Sequence, residues 1–209
     1  MADSIDRAKN IKLILFDVDG VLTDGTLWFF PARDAEPRST DAQRRQHGDA
    51  PGFGIVSQNM IEAKGFNAHD GTAVSLARLG GLKTGMVTKR ISETVALRAR
   101  DLRIDYLFQG AENKSHVLDE ILTQSGFREE EIAYVGDDVI DLPIMRRCGL
   151  AIAVANARPQ VKQMAHYETA SSGGRGAARD AVEYILQAQG KLEEVIEAYI
   201  NARTGTREQ

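Results

Sequence analysis

Apolar residues in this chain fall into short runs that favour β-strands, separated by segments with helical periodicity. The runs predict six strands with the sequences IKLILF, KTGMVT, DYLFQ, EIAYVG, LAIAVA and HYETA. The segments between them predict helices in ISETVALRARDL, NKSHVLDEILTQSG, DLPIMRRCG and RPQVKQMA. Strands that alternate with helices connect through right-handed crossovers into a parallel sheet with both faces covered. The pattern therefore predicts an α/β fold with a doubly wound, mainly parallel sheet.

Two further helices follow from the same periodicity. Asp70 can cap a helix that ends at Gly80 and Gly81. Near the end of the chain, residues 177–202 place apolar side chains on one face. They predict a single long amphipathic helix, with room for a bend at Gly190.

Residues 26–67 depart from the alternation of strands and helices. Two apolar arms, in TLWFF and FGIVSQNMIEAKGFN, flank a long polar run rich in Pro, Arg, Asp, Gln and Ser. We interpret this segment as a β-hairpin flap whose tip spans about residues 31–52. Hairpin loops usually have about 2–5 residues, so a tip of this length is expected to be a lid or a mobile segment. The length of the chain suits one domain, residues 1–209, that carries this flap.

Composition narrows the class of protein. Apolar residues make up 43% of the chain and charged residues 27%, as in ordinary globular proteins. The net charge is -4 and no stripe of Lys and Arg stands out, which argues against nucleic-acid binding. The single cysteine, Cys148, cannot form an internal disulfide and is expected to be a buried structural thiol. The apolar run near the N-terminus is too short for a signal peptide or membrane span, so we expect a cytoplasmic protein.

Carboxylates follow two of the predicted strands. Asp17 and Asp19 come directly after the first strand, and Asp137, Asp138 and Asp141 follow the strand IAYV. Ligands of open parallel sheets bind beyond the carboxyl ends of the strands, where these residues would meet if the two strands are neighbours. Two like charges about 4 Å apart repel by about 4 kcal/mol at an effective dielectric constant of 20. A hard divalent cation would relieve this repulsion, and Mg²⁺ is the expected ion.

Thr88 and Lys114 complete a candidate site at the same edge of the sheet. Thr88 ends the strand KTGMVT, and Lys114 begins the helix after LFQGAEN. A hydroxyl, an ammonium group and a metal ion can together hold the charged oxygens of a phosphoryl group. Asp17 would then attack phosphorus as a nucleophile, and Asp19 would act as general acid and base. Each residue alone could belong to an ordinary turn or helix start, but their ordered combination at strand ends favours catalysis.

This combination resembles the haloacid dehalogenase superfamily of phosphohydrolases. Several longer stretches are similar to its 3-deoxy-D-manno-octulosonate 8-phosphate phosphatase subfamily, namely DVDGVLTDG, FNAHDG, LFQGAENK, YVGDDVIDLPIM and SGGRGAARDAVEYILQAQGKL. The resemblance implies a capless Rossmann-type domain in which Mg²⁺ is bound by Asp17, the backbone carbonyl of Asp19, and Asp137. Asp138 and Asp141 would lie behind these ligands, with Asp141 orienting Lys114.

The resemblance also implies a sugar-acid phosphate as substrate and a homotetramer in which a neighbouring subunit closes each active site. Arginines suit such a substrate because their planar fork binds carboxylate and phosphate groups bidentately. The substrate contacts that the family would place in this chain are Asn67, Asp70, Gly71, Arg90, Arg98 and Arg175.

The sequence departs from the subfamily in the region that would read the substrate. His69 and Ser75 stand where family members have arginines, Lys89 replaces a glycine, and the tip of the flap is longer. The exact sugar is therefore open, and another nonulosonate or small sugar phosphate is an alternative substrate. A phosphorelay receiver module also combines Asp, Thr and Lys around Mg²⁺, but its phosphoacceptor lies on a middle strand, where this chain has no isolated Asp. A haloalkanoate dehalogenase would not need the proton donor Asp19.

Overall fold

The computed structural model describes residues 4–31, 43–47, 50–56 and 60–204. Its strands are β1 Leu13–Phe16, β2 Trp28–Pro31, β3 Gln43–His47, β4 Ala50–Val56, β5 Met60–Ala63, β6 Lys83–Thr88, β7 Tyr106–Gln109, β8 Ile132–Gly136, β9 Leu150–Ala153 and β10 Tyr167–Glu168. Its α-helices are α1 Ser4–Lys9, α2 Ala68–Leu79, α3 Glu93–Leu102, α4 Lys114–Ser125, α5 Leu142–Met145, α6 Pro159–Met164, α7 Ala177–Ala188 and α8 Leu192–Thr204.

All six predicted strands of the main sheet are confirmed. Within the described residues they form one sheet in the order β10-β9-β8-β1-β6-β7, and every pair is parallel. β1 lies at the centre between β6 and β8, and its side chains are fully buried. The predicted doubly wound α/β architecture is therefore correct, and the strands that precede the two acidic motifs are neighbours.

Helices pack on this sheet in two groups. α2 and α7 pack closely, with α1 and α8 beside them, and α4, α5 and α6 form the other group. The buried core between sheet and helices includes Phe16, Met86, Leu118 and Ile185. The thiol of Cys148 is buried in the same core, as the sequence predicts. Among the described residues, no helix has the length and apolar content that a membrane span requires.

The prediction of one continuous C-terminal helix is wrong. α7 ends at Ala188 and α8 begins at Leu192, and Gly190 between them has a φ of 69°, which a helix cannot continue. The break is held in place by Gln189, whose carboxamide donates to the carbonyl of Ile11 at 2.8 Å. The two helices therefore pack against each other, and both contact α2.

One short strand from each predicted arm of the flap pairs with the other. β2 and β5 pair antiparallel, from Trp28 opposite Ala63 to Pro31 opposite Met60. A second antiparallel ribbon, which the polar composition does not predict, pairs β3 in the predicted tip with β4, which extends beyond the tip into the predicted second arm. Residues 32–42, 48–49 and 57–59 of this region lie outside the described residues. The expected mobility of the tip stays a prediction.

Candidate active site

The candidate site lies at the carboxyl ends of three adjacent strands. Asp17 follows β1, Asp137 follows β8, and Thr88 is the last residue of β6. Asp17 and Thr88 are almost fully buried. The Thr88 hydroxyl accepts a hydrogen bond from the backbone N–H of Arg90 at 3.3 Å. The parallel sheet therefore brings together the groups that the sequence places at separate strand ends.

Lys114 connects the two acidic motifs. It is the first residue of α4, after Asn113 caps the helix, and only 1% of it is exposed. Its ammonium nitrogen lies 2.8 Å from Asp17 Oδ1 and donates to Asp141 Oδ1 at 2.6 Å and to the hydroxyl of Tyr134 at 2.9 Å. Burial by itself lowers the pKa of Lys114, but the attraction of Asp17 and Asp141 outweighs this effect and raises it. The lysine is therefore a fixed cation whose three N–H bonds all have acceptors.

Asp141 organises the cluster from behind. Its Oδ1 accepts from Lys114 and from the Tyr134 hydroxyl at 2.8 Å, and its Oδ2 accepts from the backbone N–H groups of Asp137 and Asp138 at 3.0 and 3.2 Å. Asp138 itself is exposed and caps the turn through the N–H of Val139. Both oxygens of Asp141 are therefore engaged, and one of them binds Lys114.

Asp17 and Asp137 are the carboxylates left to hold a cation. One oxygen of each lies in a cluster with Asp141 whose atoms are all within 4.8 Å of one another. In the part of the chain that the structure describes, Asp137 Oδ1 is buried without a hydrogen-bond partner. Burial, and then the charges of Asp17 and Asp141, raise the pKa of Asp137 to about 7. Burial likewise raises the pKa of Asp17 above its usual value, against the effect of Lys114. Hard oxygen donors with unrelieved charge fit Mg²⁺.

Gly20 is required for this geometry. Its φ is 95°, and an added Cβ would lie 2.2 Å from Asp137 Oδ2. A second glycine, Gly173, packs on the other side of the same loop, because its Cβ would lie 1.7 Å from the Gly20 carbonyl oxygen. The loop after β1 is thus enclosed between Asp137 and the Gly173–Gly176 turn.

Asp19 is held by two cations from different elements. Its Oδ1 accepts from Lys64, which follows β5 of the flap and whose side chain is fully buried. Its Oδ2 lies 3.9 Å from Arg90 Nε, and Arg90 also pairs with Glu62 of β5 at 3.1 Å. Sequence reasoning missed Lys64, Glu62 and Tyr134. Glu62 and Lys64 could have been found as charged residues inside the otherwise apolar arm IEAKGF.

Two of the expected substrate residues contact the Gly173–Gly176 turn. Asn67, not Asp70, caps α2 by accepting from the N–H of His69, and its amide donates to Gly174 O at 3.3 Å. Asp70 lies inside the helix and is buried, and its two oxygens accept from the N–H groups of Gly176 and Arg179, both at 3.2 Å. The prediction that Asp70 caps its own helix is wrong. Its carboxylate binds the first turn of α7. The expected contact of Asp70 with substrate stays a prediction.

The remaining expected contacts are dispersed around the site. Arg98 lies with its guanidinium carbon 5.6 Å from the ring centroid of Phe66 and pairs with Asp101 at 2.6 Å. Gly71 makes room for it, since a Cβ there would lie 2.5 Å from Arg98 Nη2. Arg175 is exposed, 3.9 Å from Asp24. Among the described residues, Arg90 is the expected substrate arginine that lies beside Asp19, in the loop after β1 that we term the catalytic loop.

Comparisons with known proteins identify the family of this chain. A family model described as haloacid dehalogenase-like hydrolase matches residues 92–179. A 3-deoxy-D-manno-octulosonate 8-phosphate phosphatase from Escherichia coli K12 is 36% identical over 193 residues, which cover 92% of this chain and 88% of the relative. The corresponding phosphatase of Salmonella typhi is 35% identical over 188 residues, with 90% and 86% covered.

Solved structures are similar over nearly the whole chain. The Yersinia pestis 3-deoxy-D-manno-octulosonate 8-phosphate phosphatase has a TM-score of 0.75 and 35% identity, covering 92% of this chain and 90% of that one. The Moraxella catarrhalis enzyme, in complex with magnesium, phosphate and KDO, has a TM-score of 0.77 and 30% identity, covering 94% and 97%. This chain therefore belongs to the 3-deoxy-D-manno-octulosonate 8-phosphate phosphatase family of haloacid dehalogenase-like hydrolases.

Proposed function

We propose that this protein is a Mg²⁺-dependent phosphomonoester hydrolase that acts on 3-deoxy-D-manno-octulosonate 8-phosphate. The observation that carries the proposal is the buried cluster of Asp17, Lys114 and Asp137 at the carboxyl edge of the sheet, with Asp19 two residues beyond the nucleophile. The relatives described above carry this activity in their names, and the M. catarrhalis structure contains magnesium, phosphate and KDO.

In the first step an oxygen of Asp17 attacks phosphorus, and the bond from phosphorus to the ester oxygen breaks. The leaving alkoxide keeps the bonding electrons and takes a proton from Asp19. In the second step water attacks the aspartyl-phosphate, Asp19 accepts the proton of that water, and the bond between Asp17 and phosphorus breaks. Asp17 and Asp19 both return to their starting states, so the two steps balance as hydrolysis of the ester.

The other residues would stabilise the negative charge of the phosphoryl group and hold the catalytic side chains in position. Lys114 holds Asp17 in place and offsets its charge as the phosphoryl group approaches. The Thr88 hydroxyl, at the end of β6, would donate to a phosphoryl oxygen at the same edge. Mg²⁺, held by Asp17, Asp137 and the Asp19 carbonyl, would supply positive charge against the phosphoryl oxygens. Gly20 and Asp141 would set the positions of Asp137 and Lys114.

Replacement of the nucleophile is the direct test. Asp17→Asn keeps the size of the side chain but removes the attacking anion, so we expect hydrolysis to fall by many orders of magnitude while the circular dichroism spectrum stays unchanged. Removal of divalent cations with EDTA should abolish wild-type turnover, and added Mg²⁺ should restore it. Hydrolysis by Asp17→Asn at the wild-type rate would refute the aspartyl-phosphate mechanism.

The choice of substrate rests on a smaller set of contacts. Arg90 Nε is buried without a hydrogen-bond partner among the described residues, so it has a donor available for a substrate oxygen beside Asp19. Ser75, half-buried on α2, cannot supply the charge of the arginine that the family has there. We therefore keep another sugar-acid phosphate as a second candidate. Steady-state kinetics on a panel of sugar-acid phosphates distinguish the two.

We also propose a homotetramer in which neighbouring subunits complete the active sites. The flap exposes Trp28, Phe29, Phe30, Met60 and Ile61, each by more than 40% of its surface. The pairing of β2 with β5 places Trp28, Phe30 and Ile61 on one face of the ribbon, and an exposed apolar face of this kind is typical of an interface between proteins. Because β5 also carries Glu62 and leads to Lys64, a subunit that covers the flap would lie close to the catalytic loop. A cytoplasmic location belongs to the same proposal and is supported by the buried free thiol of Cys148.

Light scattering tests the assembly. We expect a tetramer at micromolar concentration, and Trp28→Glu should dissociate it. Mixed assemblies of Asp17→Asn and Arg175→Ala subunits should recover part of the wild-type activity if the exposed Arg175 acts in a neighbouring site. A wild-type monomer would contradict the proposal.

A further inference from the structure

Lys64 is a buried lysine whose ammonium group points at the general acid and base. Its side chain has no exposed surface, and its nitrogen donates to Asp19 Oδ1. A lysine is rarely buried to this degree without a specific partner, because desolvation of the ammonium group is costly. The two residues are 45 positions apart in the chain, so the flap brings this charge to the catalytic loop.

The contact with Lys64 fixes which oxygen of Asp19 has no hydrogen-bond partner among the described residues. Oδ1 accepts from Lys64, whereas Oδ2 lies 3.9 Å from Arg90 Nε, beyond hydrogen-bond distance. Oδ2 is therefore the oxygen left to carry a proton and to deliver it. A carboxyl group without such an anchor could rotate about its last bond and present either oxygen.

The strand before Lys64 is anchored to the domain at its end. Glu62 accepts from Ser92 Oγ at 2.6 Å and from Arg90 Nη2 at 3.1 Å. Its backbone carbonyl accepts from Thr94 Oγ1 at 3.2 Å. These three donors belong to the segment that follows β6 and begins α3. The position of Lys64 is thus determined by the same segment that supplies Arg90.

We propose that Lys64 is a positioning residue that holds the Asp19 side chain so that Oδ2 faces the leaving oxygen of the ester. This inference rests on the proposed phosphatase function. Because Lys64 belongs to the flap, the flap would help to position the general acid Asp19 of its own subunit. Lys64 remains an ammonium group throughout and exchanges no proton with the substrate.

The leaving group provides the test. An alkyl phosphate needs a proton on its leaving oxygen, whereas p-nitrophenolate leaves readily as an anion and needs little help from Asp19. The experiment compares kcat/KM, which reports the steps up to phosphoryl transfer, for 3-deoxy-D-manno-octulosonate 8-phosphate and for p-nitrophenyl phosphate. General acid catalysis contributes about 10²–10⁴-fold, so Lys64→Met should lose about 100-fold or more on the sugar phosphate. The loss on p-nitrophenyl phosphate should stay below about fivefold.

Two further variants make the result specific. Lys64→Arg keeps a donor for Asp19 and should recover at least tenfold of the loss on the sugar phosphate. Lys162→Met removes a lysine that pairs with Glu168 on the surface, and should leave both substrates at the wild-type rate. Equal losses on the two substrates, or no loss in Lys64→Met, would overturn the positioning role. A wild-type protein that hydrolyses neither substrate would instead overturn the proposed function, and this inference with it.

Discussion

The hydroxyl of Tyr134 provides a sharp test of how the buried Lys114 is stabilised. Tyr134→Phe removes one oxygen and leaves the ring in place, at a position with no exposed surface. That oxygen accepts from Lys114 at 2.9 Å and donates to Asp141 at 2.8 Å. Burial raises the pKa of Tyr134 well above its usual value, so the hydroxyl keeps its proton and can donate.

The magnitude follows from these two contacts. A hydrogen bond to a charged group contributes about 1.5–3 kcal/mol to stability, and a buried donor left without an acceptor costs about 1–3 kcal/mol. Water cannot replace the lost acceptor easily, because only 1% of Lys114 is exposed. Asp141 keeps its contact with Lys114, so the two losses overlap and do not add fully. We expect the free energy of unfolding to fall by about 2–4 kcal/mol.

Urea unfolding followed by far-ultraviolet circular dichroism measures this change, at one fixed protein concentration for all variants because assembly affects apparent stability. The matched control is Tyr184→Phe, which removes a neutral hydrogen bond of 2.7 Å from Tyr184 to Ser4 Oγ and should cost only about 0.5–1.5 kcal/mol. If the two variants lost the same stability, the third hydrogen bond of the ammonium group would not be what stabilises Lys114.

Three other outcomes are expected. Gly20→Ala should reduce activity by more than about 100-fold, since its Cβ meets Asp137, whereas Gly81→Ala has a similar φ of 80° with nothing within 4 Å and should lose only about 1–2 kcal/mol of stability. Burial raises the pKa of Cys148 from 9.0 to about 12. As pH rises, the unfolded state therefore releases this proton first. Above pH 9 the free energy of unfolding of wild type should fall by about 1.4 kcal/mol per pH unit relative to that of Cys148→Ala. If urea unfolding gave the same pH dependence of this free energy for both proteins, the expectation would be contradicted. Ser75→Arg should raise kcat/KM on 3-deoxy-D-manno-octulosonate 8-phosphate by about 10–150-fold, and an unchanged value would mean that this departure is neutral.

Local pattern was sufficient to predict the frame of the molecule. The six strands of the sheet, the end of α2 at Gly80 and the two arms of the flap follow from periodicity and turn residues, which act over a few neighbouring positions. The acidic motifs could be assigned to one site because parallel strands place their carboxyl ends at one edge. The adjacency of β1 and β8 then brings Asp17 and Asp137 together.

What the sequence could not determine are contacts between side chains that are distant along the chain. Lys64 meets Asp19 because the flap folds back onto the catalytic loop, and no local pattern encodes that approach. The residues around Asp70 predict that it caps its own helix. The first turn of α7 has backbone N–H groups without partners in that helix, and two of them donate to the Asp70 carboxylate. Residue type and spacing therefore determined which groups are available, and the tertiary structure decided their partners, because buried polar groups must pair with whatever the packed chain brings within reach.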